Sequence, residues 1–160
     1  WREWSEKREL DWYVLEEESH KQLQAFVKAL NHTYQKYDAF YINDCDPIGF
    51  EWMSCANADM SMVSFVRRGS TTKNQMFIVC NFTPVERKDL WLGVPCPGEY
   101  ELLLSSDEEC YGGSGSIETQ KKLIARKQAC DGRDYSVEFN LPPLSVTIYR
   151  FDYVTPTEKK

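Results

Sequence analysis

A mainly β fold, an antiparallel β-sandwich with one helical segment ahead of it, is what this sequence predicts. Three observations carry that expectation. Seven or eight short apolar runs are separated by Gly, Pro and Asn turns. One stretch repeats its apolar residues at helical spacing. No βαβ alternation occurs, which excludes a complete α/β barrel.

The elements follow in order. Residues 1–15 read as irregular, with Trp4, Leu10, Trp12, Tyr13 and Leu15 as large apolar groups that the segment cannot bury by itself. The opening on Trp1 rather than Met, in the aromatic run Trp1-Arg-Glu-Trp4, reads as a cut inside a longer protein. Glu16-Glu-Glu18-Ser19 reads as a helix start, because acids there complement the positive end of the helix dipole. Leu23, Phe26, Val27, Leu30, Tyr34 and Tyr37 then form one apolar stripe, opposite Lys21, Gln24, Lys28, Asn31 and Gln35. Such a helix needs a sheet or a second helix beneath its stripe.

After Ala39 the period changes. Asn43 to Gly49 is rich in turn residues, and Phe50 to Ala56 reads as a first strand with Phe50, Trp52 and Ser54 on one face. Met60 to Val66 alternates as a second strand. The polar run Arg67 to Asn74 is a hairpin loop into Met76–Cys80, an unbroken apolar run closed by Asn81 and Pro84. A run so short and so apolar is a strand buried on both faces. Leu90–Val94, Glu99–Ser105, Tyr135–Leu141 and Ser145–Phe151 are further strands, and basic, ambiguous Lys121–Gln128 is read as one more. Thr155 to Lys160 is a polar tail.

At 160 residues the chain is one domain, or one domain with an appendage. Hydrophobic residues make up 42%, enough for a core. The net charge of −6 argues against nucleic acid or an anionic membrane as partner. No segment approaches the roughly 20 apolar residues of a membrane span, and none reads as a signal peptide. Cys45, Cys55, Cys80, Cys96, Cys110 and Cys130 include no C-x-x-C pair, and His20 and His32 lie far from them in sequence, so no structural zinc is expected. Cys80 fits a small buried hydrophobe in a reducing cytoplasm; three disulfides are the alternative of a secreted chain.

Candidate chemistry is sparse. Asp44 and Asp46 could pair as glycosidase carboxylates, but an Asp before Pro47 fits a turn. Asp107, Glu108 and Glu109 match no calcium loop and read as a solvated run. Gly112 to Gly115 lacks the lysine of a phosphate loop. His20 and His32 fall outside the apolar stripe, so no serine or cysteine here has an evident base. The expected catalytic residues, cofactors and metals are therefore none. An aromatic share of 14% fits both a β-rich core and sugar-stacking surfaces. Trp52 and Trp91 sit in strand patterns and are expected in the core or between the sheets. Trp1 and Trp4 are expected against a missing neighbour.

Several stretches, in order, resemble one family. Arg2 to Trp12 is similar to the Arg-Glu-Trp-Asn-His-Asp…Leu-Asp-Trp signature late in the catalytic barrel of 1,4-α-glucan (glycogen) branching enzymes, departing at Ser5 and Lys7, where the family has Asn and Asp. His20 to Asn31 resembles that barrel's last helix. Asp46-Pro-Ile-Gly-Phe-Glu-Trp52, Ser64 to Gly69, Val79 to Pro84, Tyr111 to Gly115 and Leu141 to Leu144 follow in the family's sequence. The resemblance implies the end of a glycoside hydrolase family 13 (β/α)8 barrel over 1–40, the α-amylase-type C-terminal all-β domain over 41–156, and a tail over 157–160. It implies a cytoplasmic, non-catalytic piece of a glycosyltransferase that cuts α-1,4-glucan and rejoins it through α-1,6 bonds in glycogen biosynthesis. The family's two catalytic Asp residues and its acid/base Glu lie upstream, so none maps here. The implied partners are α-glucan in the whole enzyme and the missing barrel, with Trp4 the one nominated glucan contact. The rival expectations are a stand-alone carbohydrate-binding module and a structural interaction domain, marked by an apolar patch left bare on the helix and first segment.

Overall fold

The computed structural model describes residues 3–55 and 58–155; expectations placed on Trp1, Arg2, Ala56, Asn57 and residues 156–160 lie outside them. β3 (Gln75–Asn81) is the expected central strand, with β2 (Met62–Arg67) and β8 (Ser145–Phe151) paired antiparallel on its two edges. β1 (Phe50–Ser54) continues the sheet beyond β2, and β5 (Glu99–Ser105) and β6 (Lys122–Ile124) continue it beyond β8. β4 (Arg87–Val94) and β7 (Tyr135–Leu141) pair as a separate two-stranded antiparallel sheet.

The core follows from the pleat, because successive side chains leave opposite faces of a strand. Phe77 and Val79 join Met62, Val66, Tyr100, Tyr149 and Phe151, and meet Leu92, Val94, Val137, Phe139 and Leu141 of the small sheet. Met76 and Ile78 turn the other way and join Ile148 and Leu104. That second face is covered by α1 (Glu18–Lys36) and the turn after it, through Phe26, Ala29, Tyr37 and Ala39. Three layers result: helix, six-stranded sheet, two-stranded sheet. A strand apolar on both sides has met a layer on each.

Several expectations are corrected. Trp12–Glu16 is a 3-10 helix, and α1 starts at Glu18 rather than Glu16. β2 starts at Met62, because Ala58–Met60 is a 3-10 turn and Ser61 takes a positive φ of 46°. The run Lys121–Gln128 gives only three residues of strand, of which Leu123 alone is buried. Trp52 is 48% exposed, not core. β1 is a sheet edge, Met53 is its inward residue, and Trp52 lies against Phe50 and Phe65 on the outer face with ring centroids 4.8 and 5.7 Å away. Trp91 is half-buried on the small sheet, with the Arg126 guanidinium 5.5 Å over its ring.

Candidate functional site

Residues 3–15 fold back on the first turn of α1. Short local bonds shape the segment: the Trp12 N–H donates to the Leu10 carbonyl at 2.8 Å, and the Val14 N–H to that of Asp11 at 3.1 Å. Their path leaves a cleft of about 290 Å³ lined by Trp4, Trp12, Leu10, Glu9, Asp11 and His20. Trp4 is 74% exposed, so its indole offers a flat apolar face, and the acids and imidazole supply polar groups around it. The Ser5 hydroxyl is turned to its own loop, accepting from the Lys7 N–H at 3.3 Å. The cleft has the chemistry of recognition, with flat rings and hydrogen-bonding groups. His20 is half-buried, 3.8 Å from a Glu17 carboxylate oxygen, and His32 is exposed.

Beside the cleft, α1 shows a largely exposed apolar face, with Tyr34 at its end in ring contact with Phe40 and Tyr41. Gln22, Phe26, Ala29, Thr33 and Tyr37 are not exposed; Phe26, Ala29 and Tyr37 pack on the sheet-side cluster, and the Gln22 side chain lies beside Gly112. Leu23, Val27, Leu30 and Tyr34, one position further round, are exposed, Leu23 by 60%. The expected stripe is thus divided, with Phe26 and Tyr37 toward the sheet and the other four exposed to differing extents. With Trp4, Leu10, Trp12 and Tyr13, also exposed, they form the bare apolar surface of the helix and first segment.

The remaining candidates have structural partners. Asp46 accepts the Ile48 N–H at 2.9 Å as a turn cap, and Asp44 pairs with Arg67 at 2.8 Å, so neither carboxylate serves a shared site. Asp107 corrects the expectation of a solvated acidic run, being only 5% exposed. Its carboxylate accepts the Ser114 N–H at 3.0 Å, the Ser114 and Ser116 hydroxyls at 2.9 and 3.0 Å, and the Ile117 N–H at 3.2 Å. The loop it ties includes Gly113, where an added Cβ would lie 2.2 Å from the Asp107 backbone. The only signal in the sequence was an Asp followed seven and nine residues later by hydroxyls. That loop seats the helix: Tyr111 meets Phe26 edge-on at 5.4 Å.

All six cysteines are free. Burial pushes the Cys80 thiol up to about 11, which keeps it a protonated, unreactive hydrophobe near neutrality. Burial, together with Asp131, also raises Cys130, whose thiol donates to the Trp91 carbonyl at 3.3 Å. Among the described residues, no group of three or more His, Cys, Asp or Glu could hold a metal ion. No helix there is long and apolar enough to cross a membrane.

Comparison with known proteins adds what geometry alone does not carry. Residues 52–152 match the family described as alpha amylase, C-terminal all-beta domain. The chain is 46% identical over 150 residues to the 1,4-alpha-glucan branching enzyme GlgB of Butyrivibrio fibrisolvens, covering 94% of this chain and 23% of that enzyme. It is 42% identical over 150 residues to the GlgB of Hydrogenovibrio crunogenus, covering 94% and 20%. It is 38% identical over 148 residues to that of Synechococcus elongatus, covering 92% and 19%. The chain thus spans about a fifth of the length of the curated relatives it matches. A solved trehalulose synthase, MutB, has a TM-score of 0.48 at 15% identity, covering 79% of this chain and 17% of that one.

Proposed function

Because the chain belongs to the family of alpha-amylase C-terminal all-beta domains, we propose that it is the non-catalytic carboxy-terminal part of a 1,4-α-glucan branching enzyme. In that enzyme it supports the catalytic barrel. Residues 1–40 are the end of the barrel, 41–156 the all-β domain, and 157–160 a tail. The whole enzyme acts in the cytoplasm, transferring α-1,4-glucan segments into α-1,6 branches of glycogen, and its catalytic carboxylates lie outside this chain.

One observation carries the reading. Leu23, Val27, Leu30 and Tyr34 are exposed in a chain that matches only about a fifth of its relatives' length. Burying a large apolar side chain is worth about 1.5–3 kcal/mol, so four on one helix face are a strong drive toward a covering layer. The barrel is that layer. The α1 seat, with Phe26 on Tyr111 and Tyr37 beside Ile148, then fixes the sandwich against the barrel's edge. Trp4 is the nominated glucan contact, since its indole stands open at the mouth of the cleft.

The test is activity of the chain alone on amylose, followed by iodine absorbance. The expected result is an unchanged spectrum at any enzyme concentration. A time-dependent loss of absorbance, reporting new branches, refutes the reading.

A further inference from the structure

A groove of about 370 Å³ opens where the edge of β6 faces the edge of β7. Leu123 and Phe139 form its apolar floor, and Asp89, Asn140, Arg126 and Glu138 stand around it. Its walls are pinned. The buried Gln120 side chain donates to the Asn140 carbonyl at 2.7 Å and accepts the Asn140 N–H at 2.6 Å. Asn140 Oδ1 accepts the Asp89 N–H at 2.8 Å. Asp89 lies in a bulge of β4, where the register shifts between Arg87 and Leu90, and it holds a positive φ of 53°. Bulges that re-aim one side chain, and strained non-glycine residues, gather at functional sites.

The pinned pair leaves its working atoms unused. Among the described residues, the Asn140 amide NH2 and the Asp89 carboxylate have no protein partner. Charges lining the groove balance in number: Arg126 stands 3.6 Å from Glu138, and Asp89 and Lys122 carry opposite signs, the Lys122 ammonium being paired with Glu99 at 2.8 Å. A balanced, polar wall over an apolar floor suits a ligand that is uncharged, both donates and accepts, and has one C–H face. We propose that this groove binds a neutral, hydroxyl-rich oligosaccharide, with Asp89 accepting from and Asn140 donating to its hydroxyls. Naming the ligand as an α-1,4-glucan segment rests on the branching-enzyme reading. Such a site would hold a glucan chain on the sandwich, away from Trp4.

The experiment titrates the chain with maltoheptaose and follows side-chain amide resonances in 1H–15N spectra. The expected result is movement of the Asn140 and Gln120 amides, with binding weakened about fivefold in Asp89→Asn and in Asn140→Asp, the effect of losing one hydrogen bond. Melting curves of the variants show that both fold, and either one suffices for the comparison. Silence at Asn140 and Gln120 or undiminished binding in the folded variants overturns the proposal; an equal response to cellohexaose overturns the naming of the ligand as an α-1,4-glucan segment. Those outcomes leave the docking reading standing, since it rests on the bare helix face; branching by the isolated chain would remove that reading and leave this binding measurable.

Discussion

Asp107 is the residue with most depending on it. A buried carboxylate is tolerated only when its lone pairs are used, and here four donors use them. Removing it orphans the buried Ile117 N–H and releases the Ser114 N–H and the Ser114 and Ser116 hydroxyls, which lie nearer solvent. Asp107→Ala is expected to cost about 3 kcal/mol in urea unfolding, within the usual range for a broken buried network. A loss below about 0.5 kcal/mol would show the network idle. Beyond the hydroxyls seven and nine residues on, the sequence did not separate Asp107 from Glu108 and Glu109, because an acid's burial depends on which donors the chain brings round it. Trp52 makes the same point in reverse. Alternation placed it on a face with Phe50, and it could not say that this face of an edge strand has no cover.

The informative element is α1. A helix resting on one sheet needs a stripe little wider than about 100°. Leu23, Phe26, Val27, Leu30, Tyr34 and Tyr37 span about 100° at helical spacing, the width that one covering layer takes, so the sequence called for one neighbour. That the stripe is divided was not legible. The sheet takes Phe26 and Tyr37, and the other four are left exposed. The double variant Leu23→Lys and Leu30→Lys should therefore leave the melting temperature of this chain nearly unchanged, since exposed substitutions move stability by no more than about 0.5 kcal/mol. The same pair in a full-length branching enzyme should lower its melting temperature. A collapse of the isolated chain would mean that the stripe is core after all. Among the strands, the error at Lys121–Gln128 has a simple cause: Lys122 and Ile124 point to solvent, so only Leu123 gives the period any reason to persist.

At the scale of the whole molecule, one ion cluster joins the sheets. Glu51 on β1 accepts from Arg68 and pairs at 2.7 Å with Arg133, in the turn leading into β7. Arg133 also donates to the Trp52 carbonyl at 3.1 Å, which covers the open edge of β1. Burial raises the Glu51 carboxyl, but Arg68 and then Arg133 outweigh it and hold it below its ordinary 4.5. A depressed carboxylate stabilises the fold above its unfolded value, and that contribution is lost as pH falls through the folded value. The urea midpoint of the wild type should thus exceed that of Glu51→Gln at pH 6, and the gap should close as pH is lowered past 4.5. A gap that persists in acid would sink the clasp.

The sequence by itself determined the layers: strand count, the twice-buried β3 and one helix follow from local period and turn chemistry, which neighbouring residues encode, and the family resemblance follows from the order of its motifs. Only the tertiary structure decided which faces are covered. The exposure of Trp52, the burial of Asp107, the division of the α1 stripe and the Asp89–Asn140 groove each depend on residues tens of positions apart. Their pairing is set by the packing of whole layers, and no local pattern records it.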